Sequence, residues 1–173
     1  MALMRRIDGG ETAPGVAPLP SDGAARDLLL QVYRGELGVP ERLLAGLTHF
    51  FEGRKYVKVA AGDYGAAGAM AVERAGIPVV RAQTRPPKPA TAGAMALGGH
   101  AQGPFLDVTE EEAEAFFRRK PLFTGPERAS AVAEGGHVLL RLHGYTLGIG
   151  MRRGEAVISL FPKAWSEAAF GGA

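Results

Sequence analysis

Glycines and cations, rather than typical catalytic groups, occur in the spacing that most suggests a function. Residues 137–151 read HVLLRLHGYTLGIGM, so Gly144, Gly148 and Gly150 fall in a predicted strand–turn–strand segment. Because glycine has no side chain, it lets another backbone, such as that of a nucleic acid, come close. The same glycines would also permit a β-bulge and the curvature of a small barrel, so both roles stay open.

Positive charge gathers in the part of the chain that contains these glycines. Residues 1–53 have 5 Lys/Arg and 7 Asp/Glu, whereas residues 54–173 have 15 and 11, and the whole chain has a net charge of +2. Cations on one face could pair with phosphates, and scattered cations would be ordinary solvated charges. The candidate cations are Lys58, Arg81, Arg85, Lys88, Arg141, His143, Arg152, Arg153 and Lys163. An aromatic residue here could belong to the core, which is the commoner role, or stack on an unpaired base, for which Tyr145 is better placed than Phe161 or Trp165.

Residues for catalysis or metal binding do not form a recognisable pattern. The chain has no cysteine, which excludes thiol nucleophiles and cysteine-ligated metals, and its four histidines lack metal-ligand spacing. Residues 62–68 (GDYGAAG) follow a predicted strand and open a predicted helix, but Tyr64 departs from the GxGxxG pattern of nucleotide-binding turns. The acidic run Glu110–Glu114 is typical of a solvated first helical turn. We expect no enzymatic activity, cofactor or metal, with a small-molecule enzyme using residues 62–68 as a remaining alternative.

Helices and strands must position these residues, and their periodicity predicts an α+β fold. Asp22 is a predicted helix cap, and Thr109 with Glu112 forms a predicted capping box. Predicted helices cover 24–34, 40–51, 64–75, 90–97 and 109–119. Predicted strands cover 56–60, 77–82, 137–142, 145–151 and 156–160. The last domain is predicted to end near residues 161–165. Residues 85–89 contain three prolines and are predicted to be irregular.

The pattern changes along the chain and predicts three regions. Residues 1–21 are rich in glycine and proline and are expected to form a flexible tail. A small α/β domain is expected over 22–120, followed by a β domain over 121–173. No apolar run reaches the ~18 residues that span a bilayer, so we expect a cytoplasmic protein without a membrane partner.

Four segments, taken in order, resemble the C-terminal region of Fmu/Sun-type ribosomal-RNA cytosine methyltransferases. Residues 50–59 (FFEGRKYVKV), 75–97 (AGIPVVRAQTRPPKPATAGAMAL) and 106–122 (LDVTEEEAEAFFRRKPL) are similar to the family's upstream segments. The fourth segment, which comprises residues 137–151 followed by 157–163 (VISLFPK), is similar to its PUA-type RNA-binding module. Gly144, Leu147, Gly148, Gly150, Pro162 and Lys163 match that module residue by residue.

The resemblance implies a PUA-like β pseudo-barrel after the α/β domain and RNA as the partner. The family transfers a methyl group with a cysteine that attacks cytosine, and this chain has no cysteine. We therefore expect a non-catalytic protein that binds structured rRNA during ribosome biogenesis or rRNA modification, without a cofactor. Ribosome-biogenesis factors with a PUA module are similar in size and order, and the lead-in from Met1 favours a free-standing protein over a fragment. The alternative is an interaction subunit that docks to a separate methyltransferase or ribosomal precursor through Leu43, Leu47 and Phe51.

Overall fold

The computed structural model describes residues 22–61, 75–130 and 132–171. These residues divide into two compact units, and residues up to Gly35 together with Val39–Ala90 form the first unit. Glu36–Gly38 and the residues from Thr91 onward form the second unit. The predicted tail, 1–21, and the predicted nucleotide turn, 62–68, lie outside the described residues, as does nearly all of the predicted helix 64–75.

In the first unit, helices precede a four-stranded sheet. The helices are α1 (Gly23–Leu29), which continues as a π-helical segment (Leu30–Glu36), and α2 (Glu41–Ala45). The strands are β1 (Leu47–Glu52), β2 (Tyr56–Ala61), β3 (Ile77–Arg81) and β4 (Lys88–Pro89), which pair antiparallel in chain order. The Asp22 side chain accepts hydrogen bonds from the backbone N–H groups of Ala24 and Ala25, so the predicted cap is confirmed.

The predicted helix 40–51 is wrong in its second half. The helix ends at Ala45, and residues 47–52 instead form β1, paired with β2 across a turn in which Gly53 has a φ of 56°. Gly53 therefore supplies the left-handed residue of a three-residue hairpin loop. In sequence alone, the same glycine resembles a helix cap. Strand pairing overrides the local helical pattern because the sheet buries the apolar side chains of Phe50 and Val57. The proline-rich stretch also contributes the short strand β4, contrary to the prediction that 85–89 is irregular throughout.

The described residues of the second unit form a five-stranded sheet and four α-helices. The strands are β5 (Phe105–Asp107), β6 (Leu122–Phe123), β7 (His137–Leu142), β8 (Tyr145–Arg153) and β9 (Ala156–Ser159). The helices are α3 (Thr91–Leu97), which a short 3₁₀ turn (Gly98–His100) follows, α4 (Glu110–Phe117), α5 (Gly125–Ser130) and α6 (Lys163–Phe170). The sheet order is β5-β7-β8-β9-β6, with β5 parallel to β7 and the other neighbours antiparallel.

The second sheet curls into a half-barrel, and the predicted α+β class with a PUA-like barrel is confirmed. Apolar side chains from β5, α4, β7 and β9 fill its core, including Leu106, Phe116, Leu140 and Val157. The three strands predicted after residue 136 and the capping box of α4 are confirmed. Helix α6, absent from the predicted all-strand C-terminal third, follows Pro162, which sits at its N-cap.

The second unit begins before the predicted boundary at 120/121. Strand β5 hydrogen-bonds along β7, and Phe116 of α4 is fully buried in the same core as Leu140. A short strand such as β5 carries little periodicity in sequence, and its partner β7 lies some thirty residues later. The change from helical to strand pattern near residue 120 therefore does not coincide with the change from one compact unit to the next.

Candidate nucleic-acid interface

Four of the five predicted cations of the second unit lie at opposite ends of the hairpin formed by β7 and β8, and the fifth, Lys163, begins α6. Arg141, His143 and Tyr145 are at the turn where β8 begins, and Arg152 and Arg153 are at the end of β8. A nine-residue strand spans about 26 Å. The fold therefore provides two separate groups of candidate residues instead of one continuous patch.

At the hairpin turn, protein carboxylates already face the cations. Arg141 donates two hydrogen bonds of 3.0 Å to the carboxylate of Asp107, and its guanidinium lies 3.8 Å from the ring centroid of Phe105. His143, which has a φ of 51°, places its Nε2 3.7 Å from Oε1 of Glu110. The bidentate pair uses two of the five guanidinium donors and compensates the charge of Arg141, so Arg141 is better placed to hold β5 against β7 than to bind phosphate.

The two arginines at the end of β8 differ in their surroundings. The Arg152 side chain donates hydrogen bonds to the carbonyl oxygens of Val132 and Gly154 and lies 3.7 Å from Glu134. Arg153 is exposed and contacts no partner among the described residues. Arg152 therefore holds the turn before β7, and Arg153 has its donors available to a ligand.

The two strand glycines of β8 are buried in the unit and face other side chains. A Cβ at Gly148 would lie 3.0 Å from the ring of Phe116, and a Cβ at Gly150 would overlap the side chain of Val157. Gly144 lies in the exposed turn with a φ of 83° and has open space around it. Close packing accounts for Gly148 and Gly150, so an RNA backbone could approach directly at Gly144 alone of the three.

Aromatic residues on this unit differ in their availability for stacking. Tyr145 is 77% exposed, whereas Phe161 is buried and packs against Phe116 and Phe117. Trp165 is partly exposed, with its ring edge-on to Phe161 at 5.7 Å. Tyr145 is thus the most exposed of the three aromatic residues that the sequence suggested.

Sequence reasoning missed Phe123, which is 81% exposed on the edge strand β6. Phe123 lies opposite Ala156 of β9, and Ala156 lies opposite Arg153 of β8. Residues that lie directly opposite in antiparallel strands share a face, so Phe123 and Arg153 flank Ala156 on one face of the sheet. The alternation of buried Leu122, exposed Phe123 and buried Thr124 is the sequence signal that could have indicated this strand.

Lys163 and Lys58 show how far lysines in this protein differ in burial. Lys163 is 77% exposed at its side chain and lies 3.3 Å from Glu167, one helical turn along α6. Lys58 is buried on β2, and its Nζ donates to Oε1 of Glu52 at 2.6 Å. A buried, paired ammonium is not available to phosphate, whereas an exposed pair such as that of Lys163 is weak and exchangeable.

The remaining first-unit candidates lie close together at one end of its sheet. Arg81 ends β3, Lys88 begins β4, and Arg85 lies in the loop that joins them. Arg81 and Arg85 are exposed, Lys88 is half-buried, and none of the three contacts a carboxylate among the described residues. The predicted clustering of cations is therefore observed here more clearly than in the second unit.

Glu112, in the acidic run that begins α4, makes hydrogen bonds within the protein. Thr109 Oγ1 accepts from the N–H of Glu112, and the Glu112 carboxylate accepts from the N–H of Thr109. A hydrogen bond from Arg128, aided by the Thr109 N–H, holds the pKa of Glu112 below its usual value. Across the described ranges, no group of histidines and carboxylates could hold a metal ion, and no helix there is long and apolar enough to span a membrane.

The second unit is a curled mixed sheet with helices, and it carries exposed cations and the exposed Tyr145 at a turn. A comparison with known protein families identifies the class of this unit. Residues 104–166 match the family described as the methyltransferase RsmF PUA domain. This region is a PUA-like module of the Fmu/Sun type, and PUA domains generally bind RNA. A comparison of the chain with curated proteins found no match.

Proposed function

We propose that this protein is a non-catalytic RNA-binding protein that binds structured ribosomal RNA in ribosome biogenesis or rRNA modification. The match of residues 104–166 to the PUA domain of a methyltransferase family carries the proposal. The absence of cysteine from the sequence supports a role without methyl transfer, because the family's chemistry uses a cysteine nucleophile.

Exposed groups of the second unit support the same proposal. Tyr145 offers a stacking surface beside the open turn at Gly144, while Arg153, on the face that also carries Phe123, offers unpaired donors for phosphate. Unpaired bases that stack on aromatic rings and phosphates that pair with arginine are the usual elements of RNA recognition outside regular duplexes. The protein residues that hold the half-barrel rigid, such as Arg141 with Asp107, would keep these groups in place.

Binding to structured rRNA and to a duplex DNA of equal length, each at about 50 and 200 mM salt, tests the proposal. We expect a preference for RNA and an affinity that falls with salt, because phosphate contacts release counterions. Tyr145→Ala should reduce RNA affinity about 5- to 150-fold, which corresponds to about 1–3 kcal/mol per stacked base, and Tyr145→Phe should retain it. Equal affinity for RNA and DNA, or no binding at low salt, would contradict the proposal.

A second candidate function is docking to a separate rRNA methyltransferase, and the exposed Phe123 on an edge strand favours it. The docking residues expected from sequence do not form one helical stripe, since Leu43 lies on α2 whereas Leu47 and Phe51 lie on β1, all half-buried. An exposed edge strand with a large apolar side chain is a common protein-binding feature. Loss of methyltransferase co-purification in Phe123→Ser, with RNA affinity unchanged, would favour this function.

A further inference from the structure

Two turns of the first unit lie side by side at one end of its sheet. One turn, residues 53–55, joins β1 to β2, and the other, residues 82–87, joins β3 to β4. The backbone N–H of Ala82 donates a 3.0 Å hydrogen bond to the carbonyl oxygen of Lys55, which ties the two turns together. The Thr84 hydroxyl donates to the carbonyl oxygen of Arg81 and closes the second turn on itself.

The register of the strands places two cations directly opposite each other beside these turns. Arg81 of β3 pairs with Lys88 of β4, and Tyr56 of β2 pairs with Arg81. Directly opposite residues have Cβ atoms only about 5 Å apart, and like charges in that position destabilise a sheet. An uncompensated pair of this kind is tolerated more easily when an external anion lies between the two charges.

Three further cations extend the pair across both turns. Arg54 and Lys55 lie in the first turn and Arg85 in the second, and all three are exposed. The Lys55 ammonium lies 5.3 Å from the ring centroid of Tyr56, and no carboxylate among the described residues contacts any of the five. Glu52, the acidic residue in the same row as Tyr56 and Arg81, already accepts from Lys58.

We propose that Arg54, Lys55, Arg81, Arg85 and Lys88, here called the two-turn cluster, bind successive phosphates of an RNA backbone. The inference rests on the proposed function and adds to it a second contact surface, on the unit that the PUA match does not include. None of the five cations has a carboxylate partner among the described residues, so their charges are available to phosphates, and phosphate contacts carry no sequence information directly. The two-turn cluster would therefore raise affinity and salt dependence, while base preference would come from the second unit.

A triple variant with neutral side chains tests the two-turn cluster against a matched control. We compare Arg81→Gln/Arg85→Gln/Lys88→Gln with Arg26→Gln/Arg34→Gln/Arg42→Gln, which removes equal charge from exposed positions of the same unit. The slope of log affinity against log salt should fall by about 2 in the first variant, and affinity at about 0.1 M salt should fall about 100-fold. The control should differ little from the wild type, since its arginines are exposed or form surface pairs with Glu41.

The outcomes separate failure of this inference from failure of the proposed function. Wild-type RNA binding with equal losses in both variants would overturn the two-turn cluster and leave the proposed function standing. Absence of RNA binding by the wild type would overturn both. Unfolding curves of the first variant should match or exceed the wild-type midpoint, because a repulsive cross-strand pair is removed.

Lysine footprinting of the unmodified protein gives a second measurement that does not depend on a variant folding. Bound RNA should lower the acylation rate of Lys55 and Lys88 several-fold and leave the exposed Lys120 of the second unit as reactive as before. Unchanged reactivity of Lys55 and Lys88 under saturating RNA would overturn the inference.

Discussion

Adjacent residues can have opposite roles, and Arg152 and Arg153 are the clearest case. Both end β8 and both suggest phosphate binding in sequence, yet Arg152 has its donors on protein carbonyl groups and Arg153 has its donors in solvent. An arginine that donates to a part-buried carbonyl oxygen, as Arg152 does to that of Val132, contributes to stability, because that oxygen would otherwise lose its partner.

We predict that the two arginines separate stability from binding. Arg152→Gln should lower the free energy of unfolding by about 1–2 kcal/mol, because two charged hydrogen bonds are lost. Arg153→Gln should leave unfolding unchanged and weaken RNA binding about fivefold at about 0.1 M salt, with a salt slope smaller by roughly 0.7–0.9. Urea denaturation and RNA titration of both variants check this, and the reverse assignment would contradict it.

Gly150 is predicted to matter for packing. Gly150→Ala should destabilise the protein by about 1–3 kcal/mol, because the added methyl overlaps Val157 and crowds Leu140. Gly99→Ala is the matched control, since nothing lies within 4 Å of a Cβ there. Thermal unfolding measures both, and RNA affinity of the folded Gly150→Ala protein should equal that of the wild type. If Gly150→Ala instead lowered RNA affinity without lowering stability, Gly150 would be an RNA-contacting residue and the prediction would be wrong.

At the scale of elements, α4 shows how a helix start joins separate parts of the second unit. Its capping box ties Glu112 to Thr109, and Arg128 of α5 donates to the same carboxylate at 2.7 Å and also to the carbonyl oxygen of Asp107. The acidic first turn therefore complements the helix dipole and anchors α5, which leaves little reason to assign it to a metal.

The lowered pKa of Glu112 predicts acid sensitivity. A carboxylate whose pKa is lower in the folded than in the unfolded state stabilises the fold above the unfolded value of about 4.3. That stabilisation is lost as the pH falls through the folded-state pKa. Wild type should lose more stability between pH 7 and pH 3 than Glu112→Gln, as measured by urea denaturation. Glu111→Gln is the control, because Glu111 is exposed and pairs with no described residue; an equal effect in both variants would contradict the assignment.

At the scale of the whole molecule, the division into units does not follow the order of the chain. Glu36–Gly38 belong to the second unit although first-unit residues flank them on both sides. The carboxylate of Glu36 accepts from Nδ1 of the buried His137 at 2.8 Å, and the N–H of Gln102 donates to the carbonyl oxygen of Leu37. His137 Nε2 is buried without a partner among the described residues, so Glu36 supplies the ring's single hydrogen bond there.

Glu36→Ala is predicted to destabilise the second unit from a distance of about a hundred residues in sequence. Both ring nitrogens of His137 would then be buried and unpaired, at a cost of about 1–3 kcal/mol. Glu41→Ala, which removes surface pairs with Arg26 and Arg34, should cost less than about 1 kcal/mol. Hydrogen exchange of β7 amides should report the difference, and equal protection in both variants would contradict the prediction.

The sequence alone determined those elements whose signals are local. Asp22, the capping box at Thr109 and the alternating strands after residue 136 follow from side chains that interact with their own neighbours in the chain, and the short PUA motifs are equally local. The α+β class could therefore be predicted from the helix and strand patterns along the chain, and the resemblance to the family from segments within residues 50–163.

Only the tertiary structure decided which candidate residues are available to a ligand. Lys58, Arg141 and Arg152 are as basic in sequence as Arg81, Arg85 and Arg153, but each of the first three donates to a carboxylate or carbonyl oxygen at least 6 and as many as 34 positions away. Strand register likewise brought Arg81 opposite Lys88 and buried Gly148 and Gly150. Availability depends on these long-range contacts, because a charge or a glycine acquires its role from what packs against it, and local sequence does not specify that neighbour.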